Sequence, residues 1–197
     1  NIEKNNNQTS IYIKGKQELK SNNINVPSDL SSSAFFIIAA LINKGSKINL
    51  NNININPSRD GILKALKKMG AKINIKNQRR VSGEIVADLD VENSNLTGCE
   101  LDAEMAKFMI DEYPILSIAA AFAKGTSIFR GLKELKVKES DRLELIRLNL
   151  VNCGCDCQVI NDDLIIKPSE KYIPINNIIR TDFDHRIAMS FAVMGSR

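Results

Sequence analysis

Three short runs in this sequence concentrate ionisable residues: Asp111-Glu112, Lys138-Glu139-Ser140-Asp141-Arg142 and Asp184-His185-Arg186. Arg forks bind carboxylate or phosphate through paired N–H groups, Lys supplies a mobile point charge, and a Glu beside a Lys in a desolvated pocket can exchange protons. Brought to one place, Asp111, Lys138, Glu139, Arg142, His185 and Arg186 would form an anion-handling site with acid and base capacity. Each run alone can also be read more plainly. A carboxylate or Ser at a helix start satisfies unpaired N–H groups and the helix dipole. Asp29, Asp111 and Asp184 each precede an apolar helix, and Ser140 stands where a cap belongs. Asp184-His185-Arg186 fits capping least well, because the helix behind it is too apolar for a surface; a cleft is the expected location.

The elements that must position these residues recur along the chain. A helix is expected from about Leu30 to Lys44, apolar nearly all round and so buried on most sides, with Asp29 at its start and Gly45 at the left-handed C-cap position. A second helix, Ser58 to Met69, carries one stripe of Ile62, Leu66 and Met69 and ends at Gly70, the pattern of a helix lying on a surface. The order then returns. Asp111 to Lys124 is Ala/Ile-rich and closes at Gly125, Thr126 to Phe129 reads as a strand, and Ser140 to Asn152 is amphipathic and ends near Gly154. Gly45 and Gly125 stand 80 residues apart, and Asn-Lys-Gly-Ser at 43 to 46 matches Ala-Lys-Gly-Thr at 123 to 126. A third copy opens at Asp184 with Ile187 to Met194, and the chain stops at Arg197, so the third unit is expected to be truncated. Such units build an α/β domain with central helices wrapped by sheets, although periodicity alone also admits a solenoid. Equivalent helix starts in a pseudo-symmetric array point toward a common region, which is the reason to expect the charged runs to meet.

The stretch before this pattern is polar and Asn-rich, with one short strand candidate at Ile11-Tyr12-Ile13, and ends at Val26-Pro27. Proline disfavours a helical preceding residue, so a boundary is expected there, dividing residues 1–25 from 26–197. The net charge of +4 is spread among acids and apolar runs rather than in dense Lys/Arg tracts, which argues against nucleic-acid binding. No run of 18 apolar residues and no signal-like apolar core occur, so no membrane association and a cytoplasmic location are expected. Of the four cysteines, Cys153, Cys155 and Cys157 are spaced by single residues rather than the two to four of zinc sites, and His185 is the only histidine. On a strand those three thiols would share one face, so reduced, partly buried cysteines and no metal are expected.

Four motifs, in this order, resemble the 5-enolpyruvylshikimate-3-phosphate (EPSP) synthase family. They are Val-Pro-Ser-Asp-Leu-Ser-Ser-Ser-Ala-Phe-Phe at 26 to 36, Ile-Asp-Glu-Tyr-Pro at 110 to 114, Val-Lys-Glu-Ser-Asp-Arg at 137 to 142 and Asp-His-Arg-Ile-Ala-Met-Ser-Phe at 184 to 191. The resemblance covers nearly all of the chain after about residue 8. It implies two domains of repeated βαβαββ units, an inside-out α/β barrel arrangement. It also implies transfer of the enolpyruvyl group of phosphoenolpyruvate to the 5-hydroxyl of shikimate 3-phosphate, through a tetrahedral intermediate, with release of phosphate and no cofactor or metal. By motif, Asp111 would hold the shikimate ring hydroxyls and serve as candidate base. Glu139 would handle the proton on the methylene carbon, and Lys138 would lie between the substrates. Arg142 and Arg186 would grip the carboxylate and phosphate of phosphoenolpyruvate with His185 close by, and Asp184 would orient a cation.

The same resemblance implies that further groups belong to a first domain, of which residues 1–25 would be the end, and that one more lysine follows beyond Arg197. The chain alone is therefore expected to be inactive, since half the contacts that hold both substrates in register would be lacking. Two alternatives stay open at this point: a relative acting on UDP-N-acetylglucosamine, and a non-catalytic binding module on the same scaffold.

Overall fold

The computed structural model describes residues 2–5, 8–168 and 178–197. Strands β1 (Ile2–Asn5) and β2 (Gln8–Ile11) form an antiparallel pair, and residues 12–27 carry no helix or strand. The strand expected at 11 to 13 thus ends at Ile11, and Tyr12 and Ile13 lie beyond it, exposed.

The remainder is built twice over. In the first unit, Ser28 bridges in parallel to Ile53, followed by α1 (Leu30–Ile42), β3 (Lys47–Asn54), α2 (Gly61–Lys68), β4 (Lys72–Val81) and β5 (Glu84–Glu92). The strands lie in the order β3-β5-β4, all antiparallel. In the second unit, β6 (Glu100–Leu101) is followed by the short α3 (Ala106–Met109), α4 (Tyr113–Ala121), β7 (Ser127–Phe129), α5 (Arg142–Asn152), β8 (Asp156–Ile160) and β9 (Asp163–Lys167). Its sheet runs β6-β7-β9-β8, with β6 parallel to β7 and the rest antiparallel, so β7-β9-β8 repeats the topology of β3-β5-β4. Both units therefore share the βαβαββ order that the family resemblance implies, and they recur with the 80-residue spacing of Gly45 and Gly125. Each ends in a tight hairpin: in the first, Ser82 and Gly83 both have positive φ, which a two-residue turn between twisted strands requires. α6 (His185–Met194) then follows.

Helices this apolar must bury most of their surface, and α1, α4 and α6 pack against one another at the centre. Ile37, Ile38 and Leu41 of α1, Ile115, Ile118 and Ala119 of α4, and Ile187 and Phe191 of α6 belong to one continuous core. The amphipathic α2 and α5 close it with Ile62, Leu66, Leu143, Ile146 and Leu150. The outer face of the first sheet is a ladder of exposed ion pairs, Lys47 to Glu92, Lys76 to Asp90 and Arg79 to Asp88, which contribute little to stability but leave β4 a charged edge that resists pairing with another strand.

Three local expectations are corrected. Pro114 occupies the first turn of α4, where its missing N–H costs nothing, so the helix begins at Tyr113 and Asp111 falls in a separate 3-10 turn, Ile110–Glu112. Neither Asp111 nor Glu112 caps α4 through its side chain, whereas Asp29 and Asp184 do cap α1 and α6. The cap of α5 is Asp141, not Ser140, and accepts from the Glu144 amide at 3.0 Å. Finally, the three closely spaced thiols do not share a strand face: Cys153 terminates α5, Cys155 precedes β8, and only Cys157 lies within it. Left-handed Gly154 ends the helix there, which places Cys153 on the helical side of the turn.

Candidate active site

Arg142, the first residue of α5, is the largest fully buried side chain among those described, at 0% exposure. A guanidinium cannot shed its proton, so burial demands carboxylate partners on every side. Asp184 Oδ2 accepts from Nε at 2.8 Å, Asp111 Oδ1 accepts from Nη1 at 3.1 Å, and Glu139 Oε2 lies 2.5 Å from Nη2. The Glu139 approach is out of line, leaving Nη2 without a hydrogen bond to any described residue. Three of the sequence motifs thus converge on one side chain. Asp184, the N-cap of α6, takes Arg186 N at 2.9 Å on one oxygen and Arg142 and Ser140 on the other. Burial works against its charge, but the Arg142 and Ser140 hydrogen bonds outweigh that and hold its carboxyl below the ordinary value.

Around this centre the remaining candidates take unequal places. Lys138 Nζ lies 3.6 Å from Asp111 Oδ1 and 2.8 Å from Glu134 Oε1; the bond to Glu134 does most to raise the lysine's pKa. Arg186 reaches the Asp111 carbonyl from Nη1 at 3.1 Å and shows no carboxylate pair among the described residues, so its fork is the most available cation of the group. Glu139 is half-exposed, and Arg142 is its ion-pair partner. His185 is exposed at the start of α6, and no hydrogen bond or ion pair to another described residue draws it into the cluster. The structure therefore gathers Asp111, Lys138, Glu139, Arg142 and Arg186, with His185 at the margin.

A polar group that sequence reasoning did not single out lies behind Asp111. Glu112 is 4% exposed and accepts a hydrogen bond from Ser31 Oγ of α1, which itself accepts from Arg59 Nη2 at 3.2 Å. Arg59 also lies 3.8 Å from Asp29. Burial pushes the Glu112 carboxyl above its ordinary value. The signal in the sequence was a serine on the buried side of an otherwise apolar helix, a position that demands a polar partner. The cysteines stand apart from this chemistry: burial pushes the Cys157 thiol up to about 12, so it stays protonated and unreactive near neutral pH.

Chemically, the cluster sets three carboxylates, a lysine and a buried guanidinium at a single locus, with a second guanidinium able to turn toward an anion. A profile of EPSP synthase, 3-phosphoshikimate 1-carboxyvinyltransferase, matches residues 1–197. The chain belongs to the EPSP synthase family. Relatives named 3-phosphoshikimate 1-carboxyvinyltransferase from Paramagnetospirillum magneticum and Cereibacter sphaeroides are each 47% identical to it, over 186 and 185 residues, covering 94% of this chain but only 42% and 41% of their own lengths. The solved EPSP synthase of Acinetobacter baumannii superposes with a TM-score of 0.88 at 39% identity, covering 100% of this chain and 45% of that one. An enolpyruvyl transferase from Streptomyces tendae, 17% identical with a TM-score of 0.54, shares the fold. This EPSP synthase family chain therefore spans less than half the length of the relatives it matches, and the arrangement of its central helices and sheets is the family's α/β architecture.

Proposed function

We propose that this chain carries one side of the active site of an enolpyruvyl transferase that joins phosphoenolpyruvate to the 5-hydroxyl of shikimate 3-phosphate and releases phosphate. In this reading residues 26–197 belong to the second domain of the enzyme and residues 1–25 to the end of the first. The observation that carries it is the attachment of Asp111 and Glu139, candidate base and candidate proton carrier, to one buried arginine, at 3.1 and 2.5 Å.

The chemistry divides among these groups as follows. Asp111 orients the ring hydroxyls of shikimate 3-phosphate and receives the proton of the attacking 5-hydroxyl. The oxygen attacks C2 of phosphoenolpyruvate while Glu139 gives a proton to C3, forming a tetrahedral adduct. Loss of phosphate and return of a C3 proton to Glu139 then produce the enol ether. Lys138, 3.6 Å from Asp111 and paired with Glu134, lies between the two substrates and offsets negative charge as it develops. Arg186, unpaired with any described carboxylate, and Arg142, once the exposed Glu139 carboxylate turns from its Nη2, receive the carboxylate and phosphate of phosphoenolpyruvate, with His185 at the rim. Ion pairing of Arg142 with Asp184 and Asp111 holds the guanidinium before substrate arrives, so that little reorganisation is needed in the reaction itself.

A phosphate-release assay with phosphoenolpyruvate and shikimate 3-phosphate tests this, run on the chain alone and with the remaining portion of a relative supplied separately. Activity only in the mixture, reduced about 10²- to 10⁴-fold by Glu139→Gln, is expected for a positioned proton-transfer group. A folded, associated mixture that stays inactive would sink the proposal and favour a binding module. Turnover of UDP-N-acetylglucosamine instead would assign the site to a sister reaction.

A further inference from the structure

Glu112 adjoins the candidate base yet takes no part in the ion pairs around Arg142, and its side chain does not cap α4. It is joined instead to a residue 81 positions away, Ser31. A hydroxyl has one proton, and the Ser31 oxygen already accepts from Arg59 Nη2 at 3.2 Å. The proton therefore points at Glu112 Oε1, and the direction of the relay, Arg59 to Ser31 to Glu112, is fixed. It ties together the starts of α1, α2 and α4. On the other flank, Gly61 at the start of α2 sits so close to α3 that an added Cβ would lie 2.8 Å from the Cβ and Cγ of Met109. The 3-10 turn bearing Asp111 is thus gripped from both sides.

We propose that Glu112 is a positioning residue: through Ser31 and Arg59 it fastens the Asp111 turn to α1 and so sets the aim of the Asp111 carboxylate at Arg142 and Lys138. The consequence for substrate rests on the function proposed above; the consequence for Asp111 does not. The distances in question, 3.1 Å to Arg142 and 3.6 Å to Lys138, leave no slack for a turn that shifts. The hydrogen bond, rather than the charge, is the fastening element, because burial disfavours the ionised form and because the charged groups nearby pull in opposing directions: Asp111 on the same turn, Arg186 from α6 and Arg59 beyond Ser31.

The test uses the full chain and its Glu112→Gln, Glu112→Ala and Ser31→Ala variants, with Val91→Ala in the first sheet as a control of comparable destabilisation. Carboxyl NMR of Asp111 and guanidinium NMR of Arg142 are recorded without ligand, then with added phosphoenolpyruvate. Gln keeps an acceptor for Ser31, so its spectra should match the parent and its phosphoenolpyruvate affinity should stay within about twofold. Glu112→Ala and Ser31→Ala should both loosen the Arg142 signals and weaken phosphoenolpyruvate about tenfold, the size expected for loss of one hydrogen bond. If Glu112→Ala does not fold, Ser31→Ala carries the decision. Unchanged Asp111 and Arg142 signals in the alanine variants, or equal changes in Val91→Ala, would overturn the inference. A parent chain that ignores phosphoenolpyruvate even with the remaining portion of a relative supplied, while the alanine variants still release Asp111, would instead count against the functional reading alone.

Discussion

A buried guanidinium facing three carboxylates is a balance in which removing any one acid leaves charge uncompensated. Asp184 carries most, since it pairs with Arg142, accepts from Ser140 and caps α6 at once. Asp184→Ala should cost about 3 to 5 kcal/mol, the range for breaking a buried pair, and lower Tm by roughly 6 to 20 °C for a chain of this size; a calorimetric loss of only a degree or two would show that water reaches Arg142. The acid side of the stability profile follows from the same group. Because the folded Asp184 carboxyl lies below its ordinary 3.8, its contribution is present above that value and is lost as pH falls through the folded one. Glu112 has the opposite sign. Its folded carboxyl lies above the ordinary 4.5, so the folded state holds its proton more tightly and stability declines as pH rises from 4.5 through the folded value. Glu112→Gln mimics the protonated form, and its Tm relative to the parent should therefore be higher at pH 8 than at pH 4; a difference independent of pH would refute burial as the cause.

At the scale of elements, positioning depends on how closely short segments approach. α2 meets α3 at Gly61, and a methyl group there would have to displace Met109 and, with it, the turn that begins one residue later. Gly61→Ala should then weaken phosphoenolpyruvate binding even though alanine is the better helix former by about 1 kcal/mol; an isothermal titration identical to the parent would mean that Met109 yields without moving Asp111. This segment also marks where sequence patterns stop being informative. The repeat was readable because a helix that is apolar on every face and closed by glycine is a distinctive pattern, and Gly45 and Gly125 announced it twice. The meeting of Asp111 with Arg142 was expected from that symmetry, whereas a hold of Asp184 on a cation was implied by the family resemblance. The 3-10 turn did not, although Pro114 already marked the helix start. Nor did the bond between Ser31 and Glu112, because local patterns carry no information about a partner 81 residues distant. Ser140 shows a similar substitution of roles: its hydroxyl serves Asp184, and the neighbouring Asp141 does the capping.

Across the whole molecule, the central helices are not equally covered. The apolar residues along 187 to 194 are for the most part enclosed, with Ile187, Phe191 and Met194 turned into the core against α1 and α4. The open side of α6 is formed instead by Ala188, Met189 and Ala192, and α1 presents Phe36, 65% exposed, on the stripe that also holds Ser32. The ends of these two helices are joined where Asn43 donates to Ser196 at 3.0 Å. A phenylalanine in the outward stripe of an otherwise enclosed helix gives water nothing to bond, and covering its ring would contribute about 1.5 to 3 kcal/mol. Self-association through this side is therefore expected when the chain is studied by itself. Sedimentation velocity over a rising concentration series should show dimers or larger species, and Phe36→Ser combined with Met189→Ser should weaken the association about tenfold or more while leaving the far-UV spectrum unchanged. A parent chain that sediments as a clean monomer at high concentration would mean that Phe36 and Met189 do not act as a cohesive patch, and that the polar residues beside them, Ser32 and His185, keep this side of the molecule wet.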